Sequence, residues 1–178
     1  MALEEQIALL YQGVDHWNEW RLANPRVAIN LSDADLSQAN LHGMNLQAAN
    51  LDGADLSYAN LSSANLSQAN LHVANLERAN LSHANLSHAI LYIANLDRAD
   101  LHLADLSKAD LRWAGLIETN LKQANLKQAN LHGANLKSAN LVGAILTQTN
   151  LTEANLDRTN LTNADLKGAI LPDGSVHP

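Results

Sequence analysis

Residues 59–88 read ANLSS ANLSQ ANLHV ANLER ANLSH ANLSH, and the unit A-(N/D)-L-x-x that they repeat runs far beyond them in both directions. From Leu31 to Leu171 every fifth residue is Leu. Ala stands two residues before each Leu except at Ile29, Met44, Thr119, Thr149 and Thr159. Asn or Asp stands immediately before it except at Ile90, Gly115, Ile145 and Ile170. The two x positions vary freely and are mostly Ser, Gln, Lys, His, Asp or Gly.

A period of five fits neither regular element. On an α-helix, steps of about 100° per residue carry successive leucines about 140° round the axis, so no apolar face forms. On a flat strand an odd spacing sends them to opposite faces in turn. The pattern becomes consistent when the chain bends once per pentapeptide, with Ala and Leu pointing inward from one short extended segment. Stacked coils of this kind make an all-β solenoid with layers about 4.8 Å apart. Its interior is expected to hold columns of Leu and Ala, the small Ala suiting a narrow tube. Each buried Leu contributes about 1.5–3 kcal/mol before chain entropy is charged against it.

The unit seen at Ala64-Asn65-Leu66-Ser67-Gln68 resembles the signature of the pentapeptide-repeat family, and the resemblance spans about residues 26–171. It implies a right-handed quadrilateral β-helix with four pentapeptides per coil, which for this chain means about seven coils. The sequence supports a period of twenty: Glu77-Arg78, Asp97-Arg98 and Asp157-Arg158 would share one side, and Val73, Ile93 and Trp113 another. The segment Val14 to Arg21 resembles the N-terminal cap found among bacterial members of the family, with Trp17, Trp20 and Arg21 as its marked residues.

The ends suggest three parts: a helical cap at 1–25, the repeat body at 26–171 and a closing turn at 172–178. Residues 2 to about 12 carry Leu3, Ile7 and Leu10 at helical spacing, with Gly13 as a stop. Asp15 is the expected N-cap of a second helix that Asn24-Pro25 ends. Such helices would lie over the first coil, where strand edges and core leucines need cover. Leu171-Pro172-Asp173-Gly174-Ser175 reads as a turn that covers little of the last coil, which leaves that end available for self-association.

The 178 residues, with one unbroken period, point to a single elongated body. There is no Phe, and Trp occurs only at positions 17, 20 and 113. The absence of Cys excludes disulfides and thiolate metal sites. The acidic Met-Ala-Leu-Glu-Glu start lacks a basic signal region, and no apolar run reaches membrane-spanning length, so a cytoplasmic location is expected. A net charge of −7 without a basic stripe argues against direct nucleic-acid binding.

Chemistry is not expected. Asp97, Asp100, Asp105 and Asp110 are close in sequence, but consecutive sides of a tube point in different directions and cannot converge on one ion. Of the eight His, His83 and His102 would touch on adjacent coils without a third ligand, while His72 and His132 share a side three layers apart. No nucleophile triad, phosphate loop or zinc spacing is present, and a convex rod offers no deep pocket. Catalytic, cofactor and metal residues are therefore expected to be none.

What is left for function is the outer surface. Val73, Ile93 and Trp113, with Ile90, Tyr92 and Arg112 beside them, would stack into an apolar patch holding the aromatic and arginine of an interface hot spot. This predicts a non-enzymatic interaction rod for an unidentified protein partner, with self-association through the patch or the C-terminal end. Quinolone-resistance members of the family, which resemble duplex DNA and inhibit type II topoisomerases, imply an alternative. Against it, the central residue here is always Leu and never Phe, and the charge is interspersed with Lys and Arg.

Overall fold

The structure, a computed structural model, describes residues 3–178. Two short helices, α1 (Leu3–Leu10) and α2 (Val14–Ala23), precede the repeat. The expected start of the first helix at residue 2 and the Leu3 side chain lie outside the described residues. The N-cap of α2 is Gly13, not Asp15: its φ of 103° is open to Gly, so the helix begins two residues earlier than expected. Asp15 falls in the first turn instead, where a carboxylate suits the positive end of the helix. At the other end the Asn24 N–H and Nδ2 both donate to the Trp20 carbonyl at 2.9 Å, and Pro25 follows.

From Asn30↔Asn50 to Asn150↔Ile170 every bridge is parallel and joins residues twenty apart, so four pentapeptides close each turn. Each side supplies one bridging residue only, and no strand forms among the described residues. The solenoid is thus built from isolated bridges, because the chain turns a corner before a second ladder pair can form.

The hydrogen bonds of one unit explain its sequence. In Asn80-Leu81-Ser82-His83-Ala84, the Asn80 N–H reaches back to the Ala59 carbonyl at 2.9 Å. Leu81 and His83 donate forward to Asp100 and His102 at 2.7 and 2.9 Å. The Ala84 N–H closes a β-turn on the Leu81 carbonyl at 3.0 Å. That leaves the Ser82 N–H, which the Asn80 side-chain oxygen accepts at 3.0 Å. All five donors are satisfied, and Asn or Asp is needed because its short side chain supplies the one acceptor that neighbouring coils do not. The amides also stack between coils, as in Asn70 to Asn50 to Asn30 at 3.0 Å each. Asp can accept in such a ladder but not donate, so Asp100 and Asp105 take bonds from Asn120 and Asn125 at 2.8 and 2.9 Å.

The left-handed residue of each unit is the second x. Every such position from Asp33 to Gly168 has positive φ, between 47° and 70°. With a hydrogen-bonded turn closing behind it, this is the type II signature.

Every fifth-position Leu from Leu31 to Leu151 is 0–1 % exposed, with the Ala columns between them, whereas Leu103, at an outer x position, is 41 % exposed. Thr119 and Thr149 enter the Ala columns by donating their hydroxyls to the Leu96 and Leu126 carbonyls at 2.8 and 2.7 Å. At the N-terminal end Trp17 is fully buried, and its Nε1 donates to the Asn45 carbonyl at 2.8 Å. Gln6 exchanges bonds with Ala28 and Asn30, and Asn18 with Gly43 and Asn45. Arg21 donates to Val27 and Gln47 at 3.2 Å, and burial lowers its pKa. At the other end the chain folds back through an antiparallel Ile170↔Val176 bridge along one side, while Leu156, Leu161 and Leu166 remain only partly buried.

Candidate interaction surface

The structure brings Val73, Ile90, Tyr92, Ile93, Arg112 and Trp113 together on the side of the tube whose inner column includes Leu71, Leu91 and Leu111. Val73, Ile93 and Trp113 are 45 %, 46 % and 50 % exposed at the outer position of successive coils, with Ile90 beside them at 44 %. Tyr92 and Arg112 stand in the neighbouring column. No segment of the described chain covers them.

The polar residues around the patch hold it rigid. The His72 imidazole lies parallel to the Tyr92 ring with centroids 5.6 Å apart, and the Arg112 guanidinium sits 5.2 Å over the other face. His72 Nδ1 is 2.8 Å from an Asp52 oxygen. Arg112 is clamped by Asp110 through two bonds of 2.7 and 2.6 Å. The Arg112 hydrogen bond holds Asp110 below the usual carboxylate range, and the same bond raises Arg112. Asp110 takes no ladder bond among the described residues, and its two oxygens are spent on this clamp. Trp113 meets His132 edge-on at 5.3 Å and lies over Gly133, where a Cβ would come within 2.5 Å of the indole. The flat ring needs that missing side chain.

His72, Asp110 and His132 were not separable in the sequence as supports of the patch, although they stand twenty, two and nineteen residues from Tyr92, Arg112 and Trp113, the residues they hold. Other side-chain groups disperse. Asp97 accepts the Ile117 N–H at 2.8 Å, and Asp100 and Asp105 belong to ladders on two further sides. His83 and His102 do meet, edge-on at 5.9 Å, while His72 and His132 take separate aromatic partners. On the side of Glu77, Arg98 and Glu118, charges neutralise one another, with Arg98 to Glu118 at 2.9 Å. Among the described residues no group of three or more His, Cys, Asp or Glu is placed to hold a metal ion. No helix among them is long and apolar enough to cross a membrane.

Comparison with known proteins identifies the architecture. A family model described as Pentapeptide repeats (8 copies) matches residues 29–68, 54–91, 69–112, 94–120, 114–152 and 134–171. The chain belongs to the pentapeptide-repeat family. Pentapeptide-repeat proteins fold as right-handed quadrilateral β-helices, which agrees with the twenty-residue bridges. HetL from the cyanobacterium Nostoc sp., a pentapeptide-repeat protein involved in heterocyst differentiation regulation, is 41% identical over 85% of this chain and 71% of that chain, with TM-score 0.53. Rfr23 from the cyanobacterium Cyanothece 51142 is 35% identical over 83% of this chain and 92% of that chain, with TM-score 0.32. QnrB1, a plasmid-mediated fluoroquinolone resistance protein, is 19% identical over 84% of this chain and 88% of that chain, with TM-score 0.40. No curated protein matches the sequence. Proteins of the pentapeptide-repeat family serve in general as structural or interaction modules without catalysis.

Proposed function

We propose that this pentapeptide-repeat protein is a non-enzymatic rod of about seven coils that presents the Val73, Ile93, Trp113 column to a protein partner, with α1 and α2 as the lid on its first coil. One observation carries this proposal. Among all the left-handed positions of the repeat, only Val73 (φ 47°) and Ile93 (φ 58°) hold β-branched residues. A β-branched side chain in this region is the least comfortable choice there, and it stabilises nothing that Ser, Gln or Gly does not achieve elsewhere in the same turn. Both fall on the exposed patch, next to Trp113. Backbone strain that the fold does not require is a mark of selection for the surface it creates. The stacked His72, Tyr92 and Arg112 add to this, since a rigid aromatic and Arg surface loses little entropy on binding.

The double variant Ile93→Ser and Trp113→Ser tests the proposal. Thermal melting is expected to stay close to wild type, because both side chains are half in water. Partner retention in a pull-down from the native organism is expected to fall by about thirtyfold or more, the loss of a hot spot worth at least about 2 kcal/mol. Retention equal to wild type would remove the patch from consideration. Val73→Asn separates strain from contact: relief of about 1–2 kcal/mol of left-handed strain exceeds the loss of about half a Val burial, so the variant should melt slightly higher while binding worse. A lower melting temperature would mean that Val73 serves the fold.

The partly buried Leu156, Leu161 and Leu166 support a second contact, self-association through the C-terminal coil, which the concentration dependence of sedimentation reads directly. A DNA-supercoiling assay with topoisomerase decides against or for the DNA-mimic alternative, for which the surface offers no continuous acidic face.

A further inference from the structure

The Asn ladder position has a second use where it is vacant. Where Asn or Asp stands before Leu, its oxygen takes the N–H two residues on, and often the hydroxyl as well: Thr152 and Thr162 donate through Oγ1 to Asn150 and Asn160 at 2.6 and 2.7 Å. At four positions that oxygen is missing, and two of the four donors are otherwise accounted for. After Ile170 comes Pro172, which has no N–H to satisfy. After Gly115, a carboxylate oxygen of Asp97 from the preceding coil takes the Ile117 N–H at 2.8 Å. After Ile90, the Tyr92 N–H likewise has no acceptor among the described residues, but the side chains beside it are the apolar patch and the His72 and Arg112 stack, with no pair of unpaired cations. After Ile145, neither the N–H nor the hydroxyl of Thr147 has an acceptor among the described residues.

Thr147 is also flanked by charge of one sign. Lys127 and Lys167 occupy the same column one coil before and one coil after it, so their Cα atoms are about 10 Å apart and both side chains reach the space above Thr147. Together with Gln148 and Gly168 these residues line a hollow of about 280 Å³. Gly168 leaves room at its outer edge. The Gln148 Oε1 accepts from Gln128 at 2.8 Å, which turns its amide nitrogen free as a further donor. Neither lysine has an ion-pair partner among the described residues, whereas Lys137 pairs with Asp157 at 3.8 Å. The nearest acid in sequence, Asp165, accepts the Lys167 backbone N–H at 3.1 Å and not its ammonium. Between Leu121 and Asn150 the chain holds three Lys and no acid, in a protein of net charge −7.

We infer that this hollow binds an oxyanion, a phosphate or carboxylate group carried by a small molecule or by the side chain of a protein partner. Thr147 supplies two neutral donors from one residue, and Lys127 and Lys167 supply charge from either side. Asp97 at the Gly115 gap is the internal precedent: a carboxylate oxygen settles on the donor that the absent ladder residue leaves. This site is separate from the apolar patch and stands or falls independently of it.

The test is a titration of the ¹⁵N-labelled protein with inorganic phosphate at constant ionic strength, repeated with acetate and with a short phosphoserine peptide. Saturable shifts of the Thr147 and Gln148 amides are expected. The decisive variant is Ile145→Asn, which keeps both lysines but restores the acceptor for the Thr147 N–H and hydroxyl, and should weaken binding by about tenfold or more. Thr147→Val, which removes the hydroxyl without touching the ladder, and the pair Lys127→Gln and Lys167→Gln should weaken it as well. Tighter binding of the peptide than of phosphate would assign the anion to a protein partner, and equal binding to a small molecule; both support the site. Shifts that do not saturate, or phosphate binding by Ile145→Asn equal to wild type, would reduce the hollow to general attraction by lysines and overturn the inference.

Discussion

Trp17→Ala is expected to destabilise the protein by about 3–5 kcal/mol. The side chain is fully buried in the same core cluster as the first leucines of the repeat, and truncation removes both that packing and the bond from Nε1 to the Asn45 carbonyl. The bond contributes about 1 kcal/mol to the total. The effect extends beyond one residue, because Gln6, Asn18 and Arg21 pair with further backbone groups of the first coil from the same two helices. With α2 loosened, those groups and the inward leucines face water together. The helical circular dichroism signal should then melt well below the repeat, and the exposed edge should bring concentration-dependent association. Trp20→Ala is the control: half-buried and tilted 41° against Trp17 at 5.7 Å, it should cost less than half as much. Equal melting of Trp17→Ala and wild type would mean that the helices are not what closes this end.

Leu91→Ala is expected to cost about 2–5 kcal/mol, because Leu91 is 0 % exposed in the middle of the tube and the coils on either side cannot close over the space it leaves. Leu156→Ala should cost less than half of that, since Leu156 lies in a coil with no coil after it and is already partly exposed. In a stack where each coil touches only its neighbours, position along the axis sets the penalty. Chemical denaturation of the two variants measures the difference, and equal losses would contradict a core that is continuous up to its open end.

The five-residue period is readable as a fold because it conflicts with both the helix and the straight strand, so only a chain that bends at each unit can bury Leu31 to Leu171 together. The patch was legible for a related reason: residues twenty apart must stack once four sides close a turn, and Val73, Ile93 and Trp113 stand out against a wet surface. Their frame was less so. His72 and Asp110 look like ordinary surface residues, and only side-chain geometry shows the imidazole flat on Tyr92 and the carboxylate clamping Arg112. The two N-terminal helices show the same division. Trp17 and Arg21 are conspicuous in the chain, but the start of α2 depended on Gly13 and its backbone, a choice that Asp15 obscured.

Composition and period alone determined the inward residues, since these follow from which side of a corner a residue occupies; the four-sided stack was implied by the family resemblance and is shown by the bridges between residues twenty apart. Tertiary structure alone decided which backbone donors lack acceptors. The Asn oxygen serves its own unit, but the remaining bonds come from coils about twenty residues away, so a vacancy such as that after Ile145 has meaning only once the neighbouring coils, and the lysines they carry, are in place.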